Sequence, residues 1–158
     1  GFGATMMLQT FSRQRHETMR LLHTMLRVGN LQRSINFYTE ILGMTLIRTS
    51  ENLQHQYSLA FVGCGTDPEH AQIELTHNWD QSGYDGGRNF GHLAYLVDDI
   101  YEACDKLRAG GVTINRPPRD GRMAFVRSPD GISIELLQKG PALVPAEPWA
   151  SMPNTGNW

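Results

Sequence analysis

Only two cysteines, Cys64 and Cys104, occur among the 158 residues, and no CxxC pair is present. That excludes a disulfide framework and a thiolate metal cluster, and two buried free thiols in a reduced, cytoplasmic compartment are the expectation. Charge of one sign is lacking too. Fourteen Lys and Arg face sixteen Asp and Glu, a formal net charge of −2, with no basic stripe. No nucleic-acid partner is expected, and isolated arginines are better read as clamps for a small ligand. No apolar run approaches the ~18 residues of a membrane span, so no membrane partner is expected.

Regular patterning is missing at both ends. Residues 1–18 show no sustained periodicity and no apolar stretch of the roughly 7–15 residues of a secretory signal. They read as a leader or an artificially added segment, with the domain running from 19 to 140. Residues 141–158 hold four of the eight prolines and two of the three tryptophans. Proline at that density precludes regular helix or sheet. This tail either stays loose or lies across the body, anchored by Trp149 or Trp158.

What the middle contains is a copy of itself. His23-Thr-Met-Leu-Arg-Val28 resembles His92-Leu-Ala-Tyr-Leu-Val97, each a histidine opening an apolar strand. A helical pattern follows each: Leu31, Ile35, Tyr38 and Leu42 in the first half, Ile100, Cys104 and Leu107 in the second. Gly43 and Gly110-Gly111 supply the stops. Three strands complete each half: 44–48, 57–62 and 72–76, then 112–115, 123–127 and 133–137. Phe61-Val62 matches Phe125-Val126, and Ile73-Glu74-Leu75 matches Ile134-Glu135-Leu136. The predicted architecture is α+β, two βαβββ modules at about 20–79 and 89–139. One module alone buries too little surface to be stable, so the halves pack together or exchange with another chain.

The repeat carries polar chemistry in equivalent places. His23 and His92 open the first strands, and Glu74 and Glu135 sit in the middle of the last ones. Side chains alternate along a strand, so each glutamate points away from its Ile and Leu neighbours. On a covered face such a carboxylate needs a partner, and a metal ion is a good one. Two imidazoles and two carboxylates suit an octahedral divalent ion with two positions left for exchange, which favours Ni2+ or Co2+ over Zn2+. His16, His55, His70 and His77 have no repeat partner and read as ordinary surface histidines, with a supporting role as the alternative for His77, which adjoins a candidate site residue.

HTMLRV (23–28), FYTEILGM (37–44), IELTHNW (73–79), FGHLA (90–94) and SPDGISIELL (128–137) together resemble glyoxalase I of the vicinal oxygen chelate superfamily, over about Arg20 to Gln138. The resemblance implies metal ligands His23, Glu74, His92 and Glu135, and a homodimer in which His23 and Glu74 of one chain meet His92 and Glu135 of the other. It implies isomerisation of the glutathione hemithioacetal of methylglyoxal to S-lactoylglutathione through a metal-stabilised ene-diolate. Glu135 is then the principal base, with Glu74 its possible partner for the other epimer. Glutathione is the co-substrate, its γ-glutamyl end held by Arg27, Asn78 and Arg88 and its glycyl end by Arg116, Gly121 and Met123. Arg116 stands where the family usually has lysine. A zinc-using branch typically has glutamine at the first ligand position and a longer insertion before the second histidine. His23 and the short run from Asn78 to His92 are similar instead to the nickel- and cobalt-activated bacterial branch. The fold also hosts epimerases, extradiol dioxygenases and non-catalytic drug-binding proteins. A dioxygenase's two histidines and one carboxylate leave Glu74 unexplained, an epimerase does not need Arg27, and the binding proteins lack the full quartet.

Overall fold

A computed structural model describes residues 19–158; the proposed leader 1–18, with His16, lies outside the described residues. The chain builds two sheets. The first has the order β1-β4-β3-β2 and the second β5-β7-β6. Their strands are β1 (His23–Arg27), β2 (Thr45–Asn52), β3 (Tyr57–Gly63), β4 (Gln72–Asn78), β5 (Leu93–Val97), β6 (Met123–Arg127) and β7 (Ser133–Gln138). In each sheet the first strand of the half lies parallel to the last, and the last is antiparallel to the one before it. No helix among the described residues is long and apolar enough to cross a membrane.

Helices α1 (Leu31–Asn36) and α2 (Ile100–Ala109) start on side-chain caps. The Asn30 carboxamide oxygen accepts from the Arg33 N–H at 2.9 Å, and the Asp99 carboxylate accepts from the N–H groups of Tyr101 and Glu102. Each cap satisfies donors that the helix leaves free and is worth about 0.5–2 kcal/mol. The helical pattern from Leu31 to Leu42 is not one α-helix. It continues from Phe37 to Ile41 as a wider π-type turn, in which the Leu42 N–H reaches back five residues to the Phe37 carbonyl at 2.9 Å. Gly43, at φ +98°, ends it.

Strand alternation divides the faces. Leu26, Ile73, Leu75, Ala60 and Val62 in the first sheet, and Ile134, Leu136, Ala124 and Val126 in the second, point into one common core. Tyr38, Ile100, Cys104 and Leu107 cover them from the helices, and Trp149 of the tail joins the same cluster. The halves are also locked by the SPDG turn. The Asp130 carboxylate accepts from the Gly29 N–H at 2.9 Å and from the Ser34 hydroxyl at 3.3 Å, both in the other half.

Two sequence expectations are corrected. The segment 112–115 forms no strand; only an isolated bridge joins Arg116 to Phe125. Pro117 and Pro118 follow directly, and proline has no N–H with which to extend a ladder. Cys104 is buried as expected but Cys64 is exposed, because it falls in the β3–β4 connection rather than on the core face.

Candidate metal and substrate site

Residues that alternate with the core positions form an open face on each sheet, and the candidate metal-site residues stand there. On β1 these are His23, Met25 and Arg27; on β4, Glu74, Thr76 and Asn78. Met25 pairs with Glu74 in the parallel register, so His23 lies two residues before the residue opposite the glutamate. Ala94 pairs with Glu135, and His92 again lies two before. The duplication is therefore a duplication of register. It produces the same contact twice: His23 Nε2 is 2.8 Å from Glu74 Oε2, and His92 Nε2 is 3.0 Å from Glu135 Oε2. The carboxylates are similarly shielded, 16% and 15% exposed, while the imidazoles are 35% and 42% exposed.

A phenylalanine joins each pair, and its signal in the sequence is the repeated Phe-Val, which by itself marks only a strand. Phe61 lies directly opposite Glu74, and Phe125 directly opposite Glu135. Facing residues of an antiparallel pair project from the same side. The Phe61 ring meets His23 edge-on at 5.7 Å and 83°, and Phe125 meets His92 at 5.3 Å and 86°. Each imidazole is thus held between a carboxylate and an aromatic ring, which fixes its plane.

Among the described residues no three or more His, Cys, Asp or Glu side chains converge as a metal site. The quartet stands as two pairs, one on each sheet. The donor chemistry fits a divalent ion that takes two nitrogens and two carboxylate oxygens. A ring nitrogen already within 3 Å of a carboxylate oxygen needs little rearrangement for both to bind one ion.

The candidate substrate residues distribute as follows. Arg27 and Asn78 occupy the open face of the first sheet, with Arg27 exposed. Met123 lies on the open face of the second, in register with Leu137. Arg88 lines a cavity of about 630 Å3 together with Phe90, Arg127 and Trp158. Arg116 is engaged within the chain: its guanidinium donates to the Met123 carbonyl and to Asp120. Burial works against the Asp120 carboxylate, but the N–H groups of Arg122 and Met123 and the Arg116 cation outweigh it and hold it below its ordinary range. Gly121, at φ +67°, lies beneath the tail, where a Cβ would sit 2.0 Å from the Leu143 carbonyl oxygen. His77 faces away from the pair and contacts the Val28 carbonyl at 3.1 Å. A larger cavity of about 810 Å3, between α1 and the turn after α2, touches none of the ten predicted site positions. The ligand faces are open surfaces in the single chain rather than closed hollows.

This fold, with paired histidines and glutamates on duplicated sheets, defines a class. Residues 20–136 match the Glyoxalase/Bleomycin resistance protein/Dioxygenase superfamily, and the chain belongs to it. Within the superfamily the chain is similar to lactoylglutathione lyases. It is 55% identical over 125 residues to the lactoylglutathione lyase of Salmonella typhimurium, covering 76% of this chain and 93% of that enzyme. Identity to the lactoylglutathione lyase of Neisseria meningitidis serogroup A is 48%, over 77% of this chain and 91% of that one. Among solved structures it is similar to a trypanothione-dependent glyoxalase I of Leishmania major, with a TM-score of 0.73 and 42% identity, over 77% of this chain and 87% of that chain.

Proposed function

We infer that this chain, a lactoylglutathione lyase by its likeness to curated enzymes of that name, isomerises the methylglyoxal–glutathione hemithioacetal at sites shared between two copies of itself. The observation that carries the reading is the pair of equivalent His–Glu contacts on two open faces. Two donors per face leave a divalent ion half-held. A second copy, related by a two-fold axis, would set His23 and Glu74 of one chain against His92 and Glu135 of the other, twice over. Met25 at 39% exposed and Leu96 at 67% exposed, on the same faces, supply apolar area for that contact.

His23, Glu74, His92 and Glu135 would hold the ion. When bound, it supplies Lewis acidity that lowers the cost of negative charge on two neighbouring oxygens. The proton transfer falls to the protein. Glu135 takes the proton from the carbon bearing sulfur and returns it to the adjacent carbon, which yields the thioester without net oxidation. Glu74, in the equivalent place, serves the other epimer. Phe61 and Phe125 keep the imidazoles oriented and exclude water from one side of each pair. Arg27, Asn78 and Arg88 receive the γ-glutamyl carboxylate, Arg27 and Arg88 as charge-assisted donors. Arg116, Gly121 and Met123 border the glycyl end, with Gly121 and Arg116 acting mainly by shaping the 116–123 loop. A cytoplasmic location suits a glutathione-dependent reaction and the two free thiols.

Four oxygen- and nitrogen-donating side chains with two exchangeable positions favour Ni2+ or Co2+. The test is thioester formation from methylglyoxal and glutathione by metal-stripped protein reloaded to matched occupancy with nickel, cobalt or zinc. Nickel or cobalt is expected to restore the greater activity. Highest activity with zinc would overturn the metal assignment, and no thioester with any metal would overturn the reaction.

A further inference from the structure

The tail lies beyond residue 136, where the family match ends, and it is fastened along its whole length. The Leu143 N–H donates to the Gly121 carbonyl at 3.0 Å, and the Tyr101 hydroxyl donates to the Val144 carbonyl at 2.9 Å. Trp149 is buried at 2% exposure. Arg119 donates to the Met152 carbonyl and the Asn154 carboxamide oxygen, at 3.0 and 2.8 Å. The Thr155 N–H donates to the Asn115 carbonyl at 2.8 Å, and the Asn115 carboxamide donates back to the Thr155 carbonyl at 2.9 Å. Gly156 then turns the chain at φ +64°, and Arg127 donates to both the carbonyl and the side-chain oxygen of Asn157.

These contacts deliver Trp158 to the open face of the second sheet. Its indole stacks on Phe125 at 6.0 Å with the planes 30° apart. Phe125 is the ring that holds His92 edge-on and lies opposite Glu135. Trp158 is therefore one ring removed from the ligand pair, and it lines the same cavity as Arg88 and Phe90. The tail's contribution to the core is already made by Trp149. Trp158 stays 39% exposed, and a rigid aromatic ring half-open beside polar groups suits a ligand more than a core. Among the described residues the first half has no counterpart: there Arg48 covers Phe61 at 3.7 Å.

Resting on the lyase reading above, we propose that Trp158 is a specificity-determining residue whose indole forms a wall for the carbon substituent of the α-oxoaldehyde. That substituent is bonded to the reacting carbons, so in the proposed pose it is the part of the adduct within one ring of the His92–Glu135 pair, and Arg88, which lines the same cavity, is left for a peptide carboxylate. An aryl substituent gains stacking there that a methyl group cannot. Aromatic contacts of this kind correspond to about a three- to tenfold change in affinity.

The experiment compares adducts of phenylglyoxal and methylglyoxal with glutathione in wild type, Trp158→Ala and Trp158→Phe, with melting temperature and bound metal measured for each. Trp158→Ala is expected to raise KM for the phenylglyoxal adduct about three- to tenfold, to change the methylglyoxal KM much less, and to leave kcat nearly unaltered; Trp158→Phe restores the aryl preference. Fluorescence gives a readout apart from turnover: S-mandeloylglutathione, the thioester product from phenylglyoxal, should quench wild-type emission more than that of Trp158→Phe. Equal effects on both adducts, no effect on either, or identical quenching would overturn the role of Trp158 while leaving the lyase reading standing. A wild type inactive on both adducts would overturn that reading and this one with it.

Discussion

The shared-site arrangement predicts what two inactive variants do when mixed. His23→Ala removes one donor from the first-sheet pair, and His92→Ala one donor from the second-sheet pair; each pair is otherwise a contact of about 3 Å, and among the described residues no further His, Cys, Asp or Glu converges on it. Three donors hold the ion poorly, so each variant alone is expected to be nearly inactive. In a dimer of one chain of each kind, one site collects both lesions. The other joins His23 and Glu74 of the second variant to His92 and Glu135 of the first, and is whole. With random exchange about half the dimers are mixed and half of their sites are intact, so the mixture regains roughly a quarter of wild-type activity. The assay is thioester formation after co-refolding, with heterodimers verified by mass or by differential tags. If the quartet formed within a single chain, every site would carry a lesion. Verified heterodimers that regain nothing would refute the shared site.

Three further outcomes follow from particular residues. Glu135→Gln keeps the shape but cannot accept the proton, and turnover should fall about 10²–10⁴-fold; bound metal measured alongside separates lost chemistry from lost coordination, and near-normal turnover rules Glu135 out as the base. Arg27→Ala, on the open face of β1, should raise KM about tenfold or more with little change in bound metal, as expected for a lost charge-assisted contact; an unchanged KM returns Arg27 to a surface role. Burial, with the charge of Asp105, pushes the Cys104 thiol up to about 12, and a thiolate is the reactive form, so at neutral pH native protein should take up maleimide at Cys64 alone and denatured protein at both; rapid native labelling of Cys104 would contradict the packed core.

The repeat was legible because strand alternation and register leave a mark in sequence. A glutamate between Ile and Leu, twice, with a histidine heading the neighbouring strand, twice, can only satisfy the core by sending both polar groups to the other face. Helix stops at Gly43 and Gly110-Gly111 were equally readable. What escaped depends on groups distant in sequence. Residues 112–115 have a strand-like composition, but the tail takes the Asn115 carbonyl and the following prolines stop the ladder. The π-type turn at Phe37–Ile41 keeps the spacing of apolar residues that an α-helix has, so periodicity does not reveal it. Trp158 stands in a segment without periodicity, and contacts distant in sequence, those of Asn115, Arg119 and Arg127 among them, bring it to Phe125.

The duplication also explains why two glutamates in the same setting need not share one task. Each has a histidine neighbour at about 3 Å, an aromatic ring opposite and nearly the same shielding. The halves part at the next position along the strand. Two residues after Glu74 stands Thr76, whose hydroxyl donates to the Glu74 Oε1 atom at 3.4 Å. Two residues after Glu135 stands Leu137, which has no donor to offer. A carboxylate oxygen that already accepts a hydrogen bond has less free capacity to receive a substrate proton. Among the described residues Glu135 has His92 on one oxygen and an apolar neighbour beside it, with Trp158 and Phe125 walling the same face. Symmetry in the strands sets the two His–Glu pairs in equivalent places; its loss at Thr76 and Leu137 supports the proposed assignment of Glu135 as the principal base, with Glu74 serving the other epimer.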